Sequence, residues 1–353
     1  MTNRGRKFRL ADGLKRIVVL GGGLLGAATS RFARRHGIEF YVFAGPRQAS
    51  QILSDGRSVE RLWRDESVNV RFVDDIRGLP DGPYGLAIPG AVILSFGSPF
   101  IIRKDLIDLY GGRVLNCHNA PLPEWRGGGG YSWRIMAGDR RGNTCFHLVT
   151  PGIDEGDIVY EKSYRFPKSC RKPIEWQAHA NAEAAKGLAF LLSGLRSGKA
   201  FRLRRQDERR STYFPRLDSA RQAIIDWSND GASIENTIMA FSTPYSGAYS
   251  WSAGRRVAIF DAKFVRRSNG THPFFAGLVL RADKDKFSIA CRDGVLLVPK
   301  DAVVGDTTLR VGQRLWSPSA AIDAARELRP IYTPSGLRDA VNADQKTRSE
   351  SDK

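Results

Sequence analysis

Short apolar runs alternate with helical patterns in the first part of the chain. Strands are predicted at residues 17–20, 38–43, 68–73, 91–96, 113–118, 144–149 and 157–165, and helices at 27–36, 101–109, 131–137 and 174–195. Several strand runs are apolar throughout, which is typical of strands buried on both faces of a parallel sheet. Because strands that alternate with helices form such sheets, the pattern predicts an α/β domain with a parallel sheet and helices on both faces.

The pattern changes in the second part of the chain. Residues 196–216 contain eight Lys or Arg and Pro215, and we interpret them as a linker. One helix is predicted at 232–241, followed by short β segments at 257–264, 277–282, 287–291 and 295–298, a spacing typical of a small barrel. We therefore predict an α/β domain over 1–205, a small β-barrel domain over 206–335 and a polar, disordered tail over 336–353.

Composition narrows the class of protein only slightly. No apolar run reaches about 18 residues and the basic start lacks an apolar segment, so neither a membrane span nor a secretory signal is predicted. The four cysteines form no CxxC pair, which argues against a zinc site and favours reduced thiols in the cytoplasm. A net charge of +18 favours an anionic partner, such as RNA, a nucleotide-linked substrate, a folate or a membrane surface, without choosing among them.

A glycine-rich loop follows the first strand. Gly21, Gly23 and Gly26 fit GxGxxG between a strand and a helix, the context of a dinucleotide site, so an NAD(P)-dependent oxidoreductase is one alternative. The acidic residue expected at the end of the second strand is absent, because the chain there reads Ala44-Gly45-Pro46-Arg47. We therefore interpret the loop as a tight strand-to-helix turn that binds no nucleotide.

The segment Asn116-Cys117-His118 ends a predicted strand. Asn116 and His118 are two residues apart, so both project from one face at the carboxyl end of a parallel strand, where active sites of α/β sheets lie. An acidic loop with Asp154 follows. Together these groups can perform acyl transfer: the His moves the amine proton, the Asn amide stabilises the oxyanion, and the Asp sets the His tautomer and stabilises its charged form. The alternative is an ordinary buried His beside an acidic turn.

Four segments resemble the folate-dependent formyltransferase family, which includes methionyl-tRNA formyltransferase and the sugar N-formyltransferases. They are Ser95–Ile102, the Asn-x-His of residues 116–118, Leu122-Pro123-Glu124-Trp125-Arg126-Gly127, and the loop Gly152–Ile158. Similarity continues at 212–217, 225–228, 238–241 and 244–249, segments that resemble the C-terminal domain of the family. The resemblance implies a Rossmann-like formyltransferase domain followed by an OB-like barrel.

The resemblance also implies roles for individual residues. Asn116, His118 and Asp154 would be catalytic, with no metal. The formyl donor, 10-formyltetrahydrofolate, would lie against two segments, represented by Ser95, Phe96, Gly97, Ser98, Pro99, Thr150, Gly152, Ile153 and Asp157. Acceptor binding would involve Arg126, Gly127 and Gly128.

The acceptor amine is less well defined. Where tRNA-acting members usually have small apolar residues after Arg-Gly, this chain has Gly127–Gly130, and Asn119 replaces the usual Pro after the His. These departures favour a nucleotide-linked amino sugar used in surface polysaccharide over an aminoacyl-tRNA. The arginines of the linker (Arg202, Arg204, Arg205, Arg209 and Arg210) would either contact phosphate or lie in solvent. A non-catalytic RNA-binding protein is a further alternative, and the oligomeric state is left open.

Overall fold

The computed structural model describes residues 5–79, 81–267, 272–305, 309–334 and 336–338. In its N-terminal part, strands alternate with helices, as predicted. The strands are β1 (Lys7–Phe8), β2 (Arg16–Gly21), β3 (Glu39–Ala44), β4 (Val70–Phe72), β5 (Ala91–Phe96), β6 (Val114–His118), β7 (Arg126–Gly127), β8 (Arg141–Leu148), β9 (Ile158–Arg165) and β10 (Phe201–Arg202). The helices are α1 (Gly23–His36), α2 (Pro46–Ala49), α3 (Val59–Asp65), α4 (Lys104–Leu109), α5 (Gly130–Met136) and α6 (Pro173–Arg196).

A large twisted sheet forms the centre of this part. Its strand order is β4-β3-β2-β5-β6-β8-β9. The strands from β4 to β6 are parallel, and β2 and β5 are buried almost throughout, which confirms the α/β prediction. The last two strands, β8 and β9, are antiparallel to their neighbours, so the sheet is mostly rather than wholly parallel. The short loop between β8 and β9 explains their own antiparallel pairing, because a parallel connection needs a crossover of a dozen or more residues.

The C-terminal part contains mostly short strands. Its elements are β11 (Tyr213–Phe214), α7 (Ser219–Gln222), α8 (Gly231–Ala240), β12 (Ala248–Ser252), β13 (Arg255–Ile259), β14 (Lys263–Arg266), β15 (Val279–Ala282), β16 (Lys286–Cys291), β17 (Gly294–Pro299), β18 (Val303–Val304), α9 (Ser319–Glu327), β19 (Ile331–Thr333) and β20 (Gly336–Arg338). Two antiparallel sheets, β14-β17-β16-β15 and β12-β13-β18, enclose an apolar core.

Some predictions differ from this structure in detail. The single β segment predicted at 257–264 is two strands, β13 and β14, which belong to different sheets. Residues 336–338, placed in the disordered tail, pair with β19. Residues 339–353 lie outside the described residues, so the remaining tail stays a prediction.

The two parts of the chain share one apolar core. Trp176 of α6 stacks on Phe166 with ring centroids 3.9 Å apart, and both pack in the same cluster as Ile234, Ile238 and Phe241. The linker also contacts both parts, since β11 pairs in parallel with β7. The predicted division at residue 205 therefore lies within a continuous structure, and it stays a prediction.

Trp176 tests the importance of this shared core. Trp176 is 1% exposed, so Trp176→Ala should lower the free energy of unfolding by about 3–5 kcal/mol through lost burial and the cavity left behind. Phe190→Ala is the matched control, because Phe190 lies on the same helix but is 47% exposed, and its loss should cost about 1 kcal/mol. Urea denaturation measures both, and equal losses in the two variants would contradict a core shared through Trp176.

Candidate active site

Polar side chains from three adjacent strands meet at one end of the large sheet. Asn116 and His118 project from the same face of β6 at its carboxyl end. In the sheet, Asn116 is aligned with Ser95 of β5 on one side and with His147 of β8 on the other. This is the edge of an open α/β sheet at which ligands bind.

Asp154 reaches these side chains from the loop between β8 and β9. Its φ is 52°, in the left-handed region, which costs a residue with a Cβ about 1–2 kcal/mol but which Asp tolerates better than most. Asp154 Oδ2 accepts a hydrogen bond from Gly127 N at 2.9 Å, and its carbonyl oxygen accepts one from Gln206 Nε2 at 2.7 Å. Hydrogen bonds to the side chain and to the backbone carbonyl of Asp154 therefore hold this unusual backbone conformation.

Gly156 in the same loop has no room for a side chain. A Cβ at this position would lie 1.8 Å from the carbonyl oxygen of Leu148. A hydrogen bond also joins the end of the loop to β8, because Leu148 N donates to the carbonyl of Asp157 at 2.9 Å. Close backbone approach therefore explains one glycine of the Gly-aliphatic-Asp-x-Gly-Asp motif.

The three predicted catalytic side chains lie together. Asn116 Nδ2 donates to Asp154 Oδ1 at 3.3 Å, and His118 Nδ1 lies 3.5 Å from Asp154 Oδ2. His147 joins them, with Nε2 at 3.2 Å from Asn116 Nδ2 and 3.4 Å from Asp154 Oδ1. The geometry brings together the residues that the sequence singled out, and their role in catalysis stays a prediction.

His118 has an acceptor beside each ring nitrogen. Nε2 lies 2.6 Å from the carbonyl oxygen of Trp125, so the neutral ring carries its proton on Nε2 and donates it there. In this structure a backbone carbonyl, and not Asp154, therefore sets the tautomer. Burial lowers the pKa of His118, against the opposing effect of the Asp154 carboxylate. The neutral ring leaves Nδ1 free to accept a proton beside Asp154.

Asp154 itself stays ionised. Burial alone would raise the pKa of this carboxyl, but His118, His147 and the backbone N–H of Gly127 outweigh it and hold the pKa well below its usual range. An ionised carboxylate next to His118 stabilises the imidazolium that forms when the ring accepts a proton.

Three groups around this centre carry no clear signal in the sequence. His147 is 2% exposed, and its position opposite Asn116 depends on the register of β6 and β8. The strand pattern of 144–149 left open whether it faces the pocket or is purely structural. The carbonyl of Trp125 is a backbone group, which any residue would supply. Gln206 lies far along the chain in a segment interpreted as linker.

Arg126 supports the acidic loop in this structure. It is 8% exposed, and its guanidinium donates to Gln206 Oε1 at 2.9 and 3.2 Å and to the Glu208 carboxylate at 2.7 and 2.8 Å. Gln206 in turn donates to the carbonyls of Asp154 and Gly156. A direct contact with the acceptor, the predicted role, stays a prediction.

The two glycines after Arg126 lie where backbone and side chains approach closely. Gly127 has a φ of 96° and donates its N–H to Asp154. Gly128 N donates to the carbonyl of Phe214 at 2.9 Å, and a Cβ at Gly128 would lie 2.2 Å from Arg216 Cγ. Both glycines are therefore required by packing around the site, and their contact with a substrate stays a prediction.

The first predicted folate-binding segment ends β5. Ser95 is 4% exposed, Phe96 and Gly97 line a cavity beside His118, and Ser98 Oγ accepts a hydrogen bond from Phe100 N at 3.1 Å. Pro99 contacts the backbone region around Gly45 of the β3–α2 turn. The segment borders the catalytic centre through Ser95, which is aligned with Asn116.

The second predicted folate-binding segment lies in the acidic loop. Thr150 Oγ1 and Gly152 N both donate to Glu155 Oε1, at 3.1 and 3.2 Å. Ile153 is 57% exposed, and Asp157 forms an ion pair with Arg6 at 3.1 Å. The loop is thus braced by its own side chains while Ile153 remains open to solvent.

A cavity of about 340 Å³ opens between His118 and the glycine-rich loop. Within the described ranges its wall combines loop glycines, carboxamides and apolar side chains, including Gly22, Gly23, Leu25, Gln51, Phe96, Asn119, Tyr131, Gln177 and Asn181. Close packing accounts for two of the glycines: a Cβ at Gly21 would lie 2.3 Å from Phe96 O, and one at Gly22 would lie 2.4 Å from the Trp63 ring. The loop therefore serves as a tight turn that forms part of the cavity wall.

Arg134 is a fully buried cation next to the catalytic strand. Its Nη1 donates to the carbonyl of Asn119 at 3.3 Å, and its guanidinium lies 5.2–5.9 Å from the ring centroids of Trp125, Phe166 and Trp176. Its Nε and Nη2 have no hydrogen-bond partner among the described residues. Burial lowers the pKa of this group. Arg134 thus contacts both ends of the segment that joins His118 to the Trp125 carbonyl.

The arginines of the linker are largely paired with carboxylates. Arg204 pairs with Glu161 at 2.6 Å, Arg209 with Asp207 at 3.0 Å, and Arg210 with Glu124. Because these charges are partly balanced within the protein, they are less available to phosphate than the sequence alone indicates.

Other predicted features concern thiols, metals and membranes. Burial raises the pKa of the Cys117 thiol to about 12, which keeps it protonated and fits the packing role expected for it. Across the residues that the structure describes, no group of three or more His, Cys, Asp or Glu could hold a metal ion. In the same residues no helix has the length and apolar character needed to cross a bilayer.

Comparison with known proteins defines the class. Residues 91–169 match the formyl transferase family and residues 219–303 match its C-terminal domain. The methionyl-tRNA formyltransferase of Stenotrophomonas maltophilia (strain K279a) is 31% identical over 241 residues, which cover 67% of this chain and 73% of that protein. The chain belongs to the formyl transferase family and is a formyl-transferring enzyme, which decides against the oxidoreductase and non-catalytic alternatives.

Other relatives agree with this class. The methionyl-tRNA formyltransferase of Geotalea uraniireducens is 27% identical over 224 residues, 64% of this chain and 68% of that protein. Among solved structures, the sugar 3N-formyl transferase WlaRD, crystallised in the presence of dTDP and 5-N-formyl-THF, superposes with a TM-score of 0.62, at 15% identity over 84% of this chain and 99% of its own. An N-formyltransferase from Helicobacter canadensis also gives 0.62, at 14% identity over 81% and 98%. These structural likenesses confirm the fold.

The coupling between Asp154 and His118 gives a testable pKa change. Because the Asp154 charge raises the pKa of His118 against the effect of burial, Asp154→Asn should move it further down. NMR titration of the His118 ring protons measures the shift, and Glu155→Gln, an exposed carboxylate of the same loop, is the control and should change it little. An unchanged or higher His118 pKa in Asp154→Asn would contradict the coupling.

Proposed function

We propose that the enzyme transfers the formyl group of 10-formyltetrahydrofolate to the primary amine of a nucleotide-linked amino sugar. The observation that carries this proposal is the contact network of Asn116, His118 and Asp154 at the edge of a cavity lined by carboxamides and backbone. A neutral base, an ionised carboxylate and an amide donor are the groups that acyl transfer to an amine requires. The network is compatible with a cytoplasmic enzyme that needs no metal.

The residues around the site suit a folate. Phe96 and Gly97 line the cavity beside His118, and Ile153, next to Asp154 in the acidic loop, presents an exposed apolar side chain. An apolar lining with nearby backbone donors and acceptors fits a flat heterocycle that is partly polar at its edge. We therefore assign Ser95 to Pro99 and Thr150 to Asp157 to the folate, which supplies the formyl group.

The network then performs the transfer in a defined order. The amine nitrogen forms a bond to the formyl carbon while His118 Nδ1 accepts the proton that the amine loses. Asn116 Nδ2 turns to the oxyanion, which is possible because its resting bonds of 3.2 and 3.3 Å are long and weak. Asp154 stabilises the imidazolium, which returns the proton to the folate nitrogen as the bond from this nitrogen to the formyl carbon breaks. The products are a formamide and tetrahydrofolate.

Two observations favour a small sugar acceptor over a tRNA. Carboxamides on the cavity wall (Gln51, Asn119, Gln177 and Asn181) are suited to hydroxyl groups of a neutral ring, since they both donate and accept hydrogen bonds. Three of the five linker arginines that could bind a nucleic-acid backbone, Arg204, Arg209 and Arg210, are instead paired with carboxylates. Methionyl-tRNA is the second candidate, and it is supported by the names of the sequence relatives.

A formyl-transfer assay separates these two acceptors. The purified enzyme with 10-formyltetrahydrofolate should formylate at least one member of a panel of nucleotide-linked 3-amino and 4-amino sugars, measured by mass spectrometry, while charged initiator tRNA should remain unchanged. Formyl-methionyl-tRNA without any formylated sugar would overturn the proposal in favour of the second candidate.

Replacement of His118 tests the catalytic base. His118→Ala should reduce kcat by at least about 100-fold, because the proton acceptor is lost, while circular dichroism and the melting temperature remain close to those of the wild type. His36→Ala is the matched control, since His36 is exposed at the far end of α1, and it should keep full activity. Turnover by His118→Ala near the wild-type rate would remove His118 from the mechanism.

A further inference from the structure

Two arginines from distant parts of the chain lie against one aromatic ring. The guanidinium carbon of Arg47 in α2 is 4.5 Å from the ring centroid of Tyr332, and that of Arg216 is 5.7 Å from the same centroid. The hydroxyl of Tyr332 donates to the carbonyl of Leu217 at 2.9 Å, which holds the ring in place. We call these three side chains the arginine pair site.

The arginine pair site contains more positive charge than the protein balances. Within the described part of the chain, neither Arg47 nor Arg216 forms an ion pair, whereas several linker arginines do. Surrounding protein atoms, and next the charge of Arg47, lower the pKa of Arg216. Because like charges repel, two cations beside one ring make a favourable place for an anion.

The arginine pair site adjoins the catalytic centre. Arg216 packs on Gly128, where an added Cβ would lie 2.2 Å from Arg216 Cγ, and the preceding Gly127 donates its N–H to Asp154. On the other side, a Cβ at Gly45, two residues before Arg47, would lie 3.0 Å from the carbonyl oxygen of Pro334 and 3.1 Å from Pro99. The site thus lies between Gly128 and the segment assigned to the folate, beside the place where the amine must react.

We propose that Arg47 and Arg216, positioned by Tyr332, bind the diphosphate of the acceptor, which rests on the proposed function and specifies its substrate as a nucleoside-diphosphate-linked amino sugar. Guanidinium groups bind phosphate oxygens in pairs of parallel hydrogen bonds, and two of them match the two phosphates of a diphosphate. The sugar amine then reaches His118 while the phosphates remain at the edge of the site. Tyr332 keeps the two cations apart and oriented when the site is empty.

Ligand binding to the full-length chain tests this site directly. Isothermal titration with UDP, dTDP, inorganic pyrophosphate and uridine should show binding of a nucleoside diphosphate and of pyrophosphate, but not of uridine. Arg47→Ala and Arg216→Ala should each weaken that binding by about tenfold or more. Both side chains are exposed, so neither change should affect folding. Arg35→Ala is the control, because it removes the same charge from an exposed position in the last turn of α1. This variant should bind the diphosphates as the wild type does.

Kinetics separate this proposal from the proposed function. With a nucleotide-linked amino sugar, Arg47→Ala and Arg216→Ala should raise KM about tenfold or more and leave kcat within about twofold, because the lost contacts are remote from the reacting atoms. Two results would overturn the arginine pair site even if sugars are formylated. One is an unchanged diphosphate affinity in a variant that carries both Arg47→Ala and Arg216→Ala, and the other is no binding of diphosphates by the wild type. Arginine-dependent binding of tRNA without arginine-dependent binding of UDP or dTDP would overturn it as well. If diphosphates bind through these arginines but no sugar is formylated, the site stands and the proposed function fails.

Discussion

One largely buried carboxylate, that of Asp154, has to remain charged without a lysine or arginine in direct contact among the described residues. Its oxygens accept hydrogen bonds from the amide N–H of Gly127 and the carboxamide of Asn116, and the rings of His118 and His147 lie within 3.5 Å of them. These groups come from three strands, β6, β7 and β8, so the carboxylate is stable only when the sheet register and the loop conformation are both correct. The geometry of the proposed catalytic residues and the local fold therefore depend on the same contacts.

Two arginines maintain this geometry from outside the reacting groups. Arg126 acts through Gln206, which holds the carbonyls of the Asp154 loop, and Arg134 contacts both Asn119 and the Trp125 ring. Arg134 has no carboxylate partner among the described residues and depends on aromatic faces, which attract cations. Arg134 thus supports the segment between His118 and Trp125, and Arg126 supports the Asp154 loop.

The sequence predicted the parallel strands and the three central side chains because both leave local signals. Apolar runs mark strands such as β2 and β5, and the two-residue spacing of Asn116 and His118 places them on one face. The part played by His147 depends on the pairing of β6 with β8, and that of Gln206 on the path of the linker. Both are long-range properties, which a local pattern does not contain. Arg126 was predicted to bind substrate because its motif is local, whereas its partners, Gln206 and Glu208, are about eighty residues away.

The parallel pairing of β7 with β11 has a consequence for evolution and for protein engineering. This pairing joins Arg126 and Gly127 to residues 213–214, so the strand that supports the catalytic loop is encoded after the linker arginines. Recombination that exchanges the C-terminal part at residue 205 would separate the loop from Gln206 and from β11, and would disrupt the candidate active site. Viable crossovers should fall beyond Phe214, so that exchange of the C-terminal part leaves this short strand with the N-terminal part.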